Sequence, residues 1–166
     1  MCRICWRLDF EFVKNIKFVI VDVDGVLTDG TIYIDSQGCE TKAFSVLDGT
    51  GISYLHRVSI KTAIISGRNC NAVTHRAKEL GIEDVYQGIK NKLDAYNQLL
   101  EKYALRDEEI CYIGDDLIDL PILYRVGFSV AVANASPIVK RQSDYVTKAR
   151  GGYGAVREVA EKILSF

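Results

Sequence analysis

Phe18-Val-Ile-Val-Asp22-Val-Asp24-Gly25-Val-Leu-Thr28-Asp29-Gly30 begins as an apolar, β-branched strand and ends on two carboxylates one residue apart, followed by glycine. Side chains alternate along an extended chain, so Asp22 and Asp24 point to the same side. Past the strand end nothing apolar covers them, and two anions held together need a cation. The carboxyl end of a buried strand is the expected place for a hard divalent metal, whose natural substrate partner is a phosphate.

Outward from this strand, which the pattern places at about Lys17 to Val23, comes a hairpin over residues 31–44. Thr31 to Asp35 and Cys39 to Phe44 flank the turn Ser36-Gln-Gly38. Helix and strand then alternate. Helices are predicted near Gly51 to Arg57, Asn71 to Leu80, Lys92 to Tyr103, Leu117 to Val126 and Ala155 to Leu164. Strands are predicted at Thr62 to Ser66, Val85-Tyr86, Ile110 to Ile113 and Ser129 to Val132. Regular βα alternation with apolar strands predicts an α/β, doubly wound parallel sheet with helices on both faces. The hairpin protrudes from it. Residues 1–15 form a lead of no evident role, and residues 16–166 form a single domain.

The chain has 166 residues and 48% hydrophobic content, enough for a core that needs no staples. Its 21 basic and 22 acidic residues leave no electrostatic footprint for nucleic acid. No apolar run approaches the ~18 residues of a membrane span, and Asp9 and Glu11 interrupt any signal-like segment. The five scattered cysteines, Cys2, Cys5, Cys39, Cys70 and Cys111, fit the reduced thiols of a cytoplasmic protein. Cys2 and Cys5 form a C-x-x-C, but no second ligand pair follows at zinc spacing.

Functional groups in such a sheet collect where strands end at their carboxyl termini. The first exit carries Asp22 and Asp24. The second carries Ser66-Gly67-Arg68, a hydroxyl and a guanidinium at the mouth of a helix, which suits a phosphate. The third leads to Lys90-Asn-Lys92 at a helix start, where a cation opposes the helix dipole and asks for a nearby anion. The fourth carries Gly114-Asp115-Asp116-Leu-Ile-Asp119. Plainer readings stand beside these. Ser66 could cap the following helix, Asp116 could cap a helix at Leu117, and Lys90 competes with Lys92. His56 and His75 fall within helix patterns and are assigned to structure.

In order and content these four exits resemble the haloacid dehalogenase superfamily of phosphohydrolases. That pattern runs D-x-D-G, strand-end Ser or Thr, Lys, then G-D-(D or x)-x-x-D, and the match spans Asp22 to Asp119. The words D-x-D-G-V-L-T-D-G, I-S-G-R, Y-Q-G, G-D-D-L-I-D and Gly151-Gly-Tyr-Gly-Ala-Val-Arg157-Glu158 are most similar to the capless branch acting on 3-deoxy-D-manno-octulosonate 8-phosphate. The resemblance implies a hydrolase of lipopolysaccharide biosynthesis in which Asp22 attacks phosphorus and Asp24 exchanges protons. It implies Mg²⁺ on Asp22, the Asp24 carbonyl and Asp115, with Asp116 and Asp119 orienting metal waters or Lys92. It places Ser66, Gly67 and Lys92 on the phosphate, and it makes Lys42, Arg68 and Arg157 candidates for the sugar acid carboxylate, Arg157 from a mobile tail.

Only 41 residues separate Asp24 from Ser66, and 25 separate Ser66 from Lys92, too few for a cap domain in either gap. Relatives assemble through the hairpin, which implies a homotetramer. A nine-carbon sialic-type 9-phosphate is the alternative substrate; Arg68, where the nine-carbon enzymes tend to carry an acidic residue, tilts the choice to the eight-carbon one. From other classes, a phosphorelay receiver places its phosphoacceptor after the third strand instead of the first. A noncatalytic assembly module would not keep all four motifs.

Overall fold

The computed structural model describes residues 10–164. Cys2 and Cys5 lie outside them, as does most of the lead. A six-stranded, wholly parallel sheet runs in the order β5-β4-β1-β6-β7-β8. Its strands are β1 (Phe18–Val21), β4 (Lys61–Ile65), β5 (Asp84–Tyr86), β6 (Ile110–Gly114), β7 (Phe128–Ala131) and β8 (Tyr145–Val146). A separate antiparallel pair, β2 (Tyr33–Ile34) and β3 (Glu40–Thr41), forms the hairpin. The helices are α1 (Val46–Arg57), α2 (Asn71–Leu80), α3 (Lys92–Tyr103), α4 (Leu120–Leu123), α5 (Pro137–Gln142) and α6 (Ala155–Leu164).

β1 is the central strand, and every one of its residues is buried, as a run of Phe, Val and Ile without alternation requires. It pairs with β4 on one side and β6 on the other, with Val21 opposite both Ile64 and Ile113. The order of strands reverses at β1, so the crevice at its carboxyl end is the switch point where such sheets bind ligands. No cap interrupts the described chain: the hairpin alone fills 31–44, and only α2 and β5 lie between β4 and α3.

Several predicted boundaries move. α1 begins at Val46, five residues before the predicted start, with the Ser45 hydroxyl capping Leu47 N–H at 3.1 Å. The helix keeps its glycines because neighbours need the room. A Cβ on Gly51 would stand 2.8 Å from the Arg157 Cα, so Gly51 lets α6 lie against α1. The predicted helix from Leu117 to Val126 is instead a 3-10 turn at Leu117–Asp119 followed by α4. Pro121 has no N–H to give the Leu117 carbonyl, so a continuous α-helix cannot start there. The hairpin strands are shorter than predicted, and Lys42 lies one residue past β3. α5 and β8 were not predicted, although Ser136-Pro137 carries a helix-start signal, with the Ser136 hydroxyl accepting from Val139 N–H. Within the predicted lead, residues 10–15 form a 3-10 turn in which Val13 is buried in the core.

An ion pair ties the starts of β1 and β6. Glu109 accepts from Lys17 Nζ at 2.6 Å and from Arg106 N–H at 2.9 Å. The Lys17 hydrogen bond, followed by that from the Arg106 backbone, holds its carboxyl down at about 2. A depressed carboxylate stabilises the fold above its unfolded pKa and loses that contribution as pH falls through the folded value. Glu109→Gln should therefore lower the melting temperature at pH 7. By thermal melting across pH, the gap to wild type should narrow from about pH 4.5 down to about pH 2.

Candidate active site

The site lies at the carboxyl ends of β1, β4 and β6. Directly after β1 the backbone turns sharply. Asp22 Oδ1 accepts the N–H of Val23 at 2.7 Å, and Gly25 takes a φ of +88° that L side chains rarely adopt. The Thr28 hydroxyl sits inside this turn, accepting the N–H of Gly30 at 3.2 Å and donating to the Val23 carbonyl at 3.3 Å. Gly25 also lacks a Cβ for a second reason: one placed there would stand 2.1 Å from Asp115 Oδ2. The carboxylate of the fourth exit therefore rests directly on the turn of the first.

Lys92, at the start of α3, reaches into the same space. Its ammonium lies 2.9 Å from Asp22 Oδ2 and 2.8 Å from Asp119 Oδ1, with the Tyr112 hydroxyl at 3.4 Å. Lys90 is exposed, so of the two lysines it is Lys92 that the fold brings to Asp22 and Asp119. Burial works against the Lys92 charge, but Asp22 and Asp119 outweigh it and raise its pKa. Asp119 is fully buried and saturated. It accepts from Lys92, from the Tyr112 hydroxyl at 2.6 Å, and from the N–H groups of Asp115 and Asp116 at 3.0 and 3.2 Å.

Carboxylate oxygens of Asp22, Asp115 and Asp119 lie within 4.8 Å of one another, and one lysine does not balance them. Burial pushes Asp22 up to about 6, with Lys92 opposing. Burial together with the charges of Asp22, Asp119 and Asp116 pushes Asp115 up to about 8. Among the described residues the Asp115 carboxylate accepts no hydrogen bond. An unpartnered carboxylate beside a second one, in a field of excess negative charge, fits a hard divalent cation. Asp115, whose oxygens accept nothing, and Asp22, with a single contact on each oxygen, keep lone pairs to hold it, whereas each oxygen of Asp119 already takes two.

The remaining predicted residues divide. Ser66 is buried beyond β4, and its hydroxyl accepts the N–H of Arg68 at 3.2 Å. It does not cap α2. That helix starts at Asn71 after Cys70, and the Cys70 N–H is taken by Gln87 Oε1. Gly67 and Arg68 are exposed in the loop between. Asp116 caps the turn Leu117–Asp119 by accepting the Leu117 N–H at 2.8 Å, which is the plainer of its two readings. The Lys42 ammonium is engaged by Asp24 and, at 2.7 Å, by Glu40. Arg157 is not on a mobile tail. It belongs to α6, where its Nε pairs with Glu161 at 2.6 Å and its guanidinium covers the Tyr54 ring. His56 shares a hydrogen bond with the Thr62 hydroxyl and stands away from the site.

Three contributors were missed. Tyr112 reads in sequence as one more apolar strand residue. Glu40 reads as an exposed hairpin charge. Asn134 follows the fifth strand exit, and inspection of that exit would have found it: its amide donates to the Gly25 carbonyl at 2.9 Å and accepts the Gly151 N–H at 2.7 Å. Gly152 N–H reaches the Val26 carbonyl at 2.9 Å, so the glycine-rich segment braces the Asp22–Thr28 turn.

Gly25→Ala tests the turn. It forces a side chain into the left-handed region and onto Asp115, and should weaken Mg²⁺ binding by at least about tenfold. Isothermal titration would detect this, and unchanged affinity would contradict the described packing.

A model of haloacid dehalogenase-like hydrolases matches residues 83–158. The chain is 51% identical over 151 residues to the 3-deoxy-D-manno-octulosonate 8-phosphate phosphatase KdsC of Escherichia coli K12, covering 91% of this chain and 80% of that protein. The crystal structure of the corresponding phosphatase from Yersinia pestis superposes with a TM-score of 0.92 at 49% identity, over 93% of this chain and 83% of that one. The enzyme of Moraxella catarrhalis, solved in complex with magnesium ion, phosphate ion and KDO, gives a TM-score of 0.90 at 46% identity, over 93% and 88% of the two chains. With half its residues shared over nine-tenths of its length, and with the same sheet, this chain belongs to the haloacid dehalogenase-like hydrolases, in the branch of the 3-deoxy-D-manno-octulosonate 8-phosphate phosphatases.

Proposed function

We propose that this chain is a magnesium-dependent phosphomonoester hydrolase that converts 3-deoxy-D-manno-octulosonate 8-phosphate to the free sugar acid and inorganic phosphate. The observation that carries the reading is the cluster of Asp22, Asp115 and Asp119 around Lys92, in a chain half identical to KdsC. Residues 16–166 act as one phosphatase domain. Asp22, Asp115 and the main-chain carbonyl of Asp24 would hold Mg²⁺, which when bound supplies the positive charge that lets an anionic nucleophile approach an anionic ester.

The rest is the work of the chain. Asp22 forms a bond to phosphorus as the bond to the sugar oxygen breaks, and Asp24 gives its proton to that oxygen. Water then attacks the aspartyl phosphate, Asp24 takes its proton, and the Asp22 carboxylate is released. Lys92 fixes Asp22 through Oδ2, and with Ser66 and the Gly67 backbone it holds the nonbridging phosphate oxygens. Asp119 keeps Lys92 in place.

Arg68, exposed at the rim with one guanidinium nitrogen on Glu40 at 2.8 Å, keeps its other donors for the carboxylate of the sugar acid. Lys42 is committed to Asp24 and Glu40 and is not free for that task. The hairpin assembles a homotetramer that helps cover the open site, a reading supported by the exposure of Ile32, Tyr33 and Ile34 at 45, 49 and 64%. A cytoplasmic location fits the free thiols of Cys39, Cys70 and Cys111 and the absence, among the described residues, of any helix long and apolar enough to cross a membrane.

Phosphate release from the eight-carbon substrate should require Mg²⁺, and Asp22→Asn should lower kcat at least about a thousandfold. Long-lived phosphorylation without turnover would instead indicate a receiver. A nine-carbon 9-phosphate should turn over more slowly; the reverse order would transfer the assignment to that substrate. Ile34→Asp should reduce the mass measured by light scattering, and a fully active monomeric wild type would exclude the tetramer.

A further inference from the structure

Asp24, Lys42, Glu40 and Arg68 form a chain of alternating charges that joins three separate parts of the fold. Asp24 belongs to the turn after β1, Glu40 to β3 with Lys42 just beyond it, and Arg68 to the loop after β4. Lys42 Nζ contacts Asp24 Oδ1 and lies 2.7 Å from Glu40 Oε1. Glu40 Oε2 in turn accepts from Arg68 at 2.8 Å. The Lys42 side chain is only 1% exposed, whereas that of Arg68 is 46% exposed, so the network runs from the interior of the site to its rim.

A buried ammonium requires a lasting counter-charge. Asp24 cannot supply one throughout the reaction, because its carboxyl is neutral whenever it carries the proton destined for the leaving oxygen. Glu40 can. Arg68 and Lys42 hold its carboxyl below the usual carboxylate range, and it has no proton to deliver. With Glu40 in place, Lys42 stays against Asp24 Oδ1 in both protonation states, and Oδ2 is the oxygen left to exchange protons. Among the described residues Oδ2 accepts no hydrogen bond.

We propose that Glu40 is a positioning residue for proton transfer, holding the Lys42 ammonium on one oxygen of Asp24 so that the other serves the leaving group and then the water. This rests on the assignment of Asp24 as the acid that protonates the departing alkoxide. It makes the hairpin part of the catalytic unit of its own chain as well as a surface for assembly.

The test uses the leaving group. An alkoxide needs a proton to depart, whereas p-nitrophenolate hardly does, so loss of an oriented acid penalises the sugar phosphate selectively. Wild type, Glu40→Gln and Asp24→Asn would be compared with Mg²⁺ on the eight-carbon sugar phosphate and on p-nitrophenyl phosphate. Glu40→Gln should lower kcat on the sugar phosphate at least about tenfold and on p-nitrophenyl phosphate by no more than about threefold, with KM little changed. Glu40→Asp should recover part of the loss. Equal losses on both esters, or an effect on KM alone, would overturn the proposal. Asp24→Asn separates the two levels. If it fails to discriminate between the esters, the acid assignment itself is wrong; if it discriminates and Glu40→Gln does not, only the role of Glu40 is wrong. Should melting curves reveal that Glu40→Gln is unfolded, Lys42→Met carries the same comparison with the same criteria.

Discussion

One ammonium among three carboxylates is the constraint on which this structure depends. Lys92 is buried with Asp22 and Asp119, and the Asp115 carboxylate stands beside them without a hydrogen bond among the described residues. Removing one partner of a buried ion pair costs roughly 3–5 kcal/mol, so the fold has little freedom in where these groups sit. Asp22 leaves β1, Asp119 follows β6, and Lys92 opens α3, which fixes those elements against one another at one end of the sheet. The adjacency of β1 and β6 and the reversal of strand order at β1 are the backbone expression of that charge cluster.

Within the cluster the carboxylates are not equivalent. Asp119 is satisfied by a lysine, a tyrosine hydroxyl and two backbone N–H groups, and so behaves as a fixed support. Asp22 keeps one oxygen on Val23 N–H and the other on Lys92. Asp115 is the under-coordinated member, and it lies against the only kind of residue that admits it, a glycine at positive φ. This division follows from hydrogen-bond supply, and it separates a saturated carboxylate from two that keep lone pairs to spare.

Much of this was legible in the sequence, because a buried central strand is a continuous apolar run and its exit is marked by Asp22, Asp24 and Gly25. The strand exits at Ser66 and Asp115 are visible on the same ground. Lys92 could be separated from Lys90 only by motif resemblance; in space the distinction is burial. Other features depend on contacts that no local pattern encodes. Tyr112 looks like core until its hydroxyl meets Asp119. The start of α1 was obscured by Gly49 and Gly51, at least one of which serves the packing of a distant helix. Glu40 is not singled out in the sequence, and Lys42 is expected on the sugar acid carboxylate instead of on Asp24, because the way the hairpin folds back onto Asp24 is a tertiary event. Arg157 sits on the motif expected of a tail, yet helix packing binds it to Glu161 and Tyr54.

The register of β1 has a consequence for how the molecule comes into being. Phe18 to Val21 pair with β4 on one side, but their other neighbours are Ile110 to Ile113, far along the chain. During synthesis from the amino terminus, the most apolar strand is complete long before β6 leaves the ribosome, and until then one of its edges is open to any strand that presents itself. The two carboxylates at its tip wait equally long for their lysine. The nascent chain is thus most vulnerable to misassociation in the interval between β1 and β6, and its chemistry can appear only once that interval has closed.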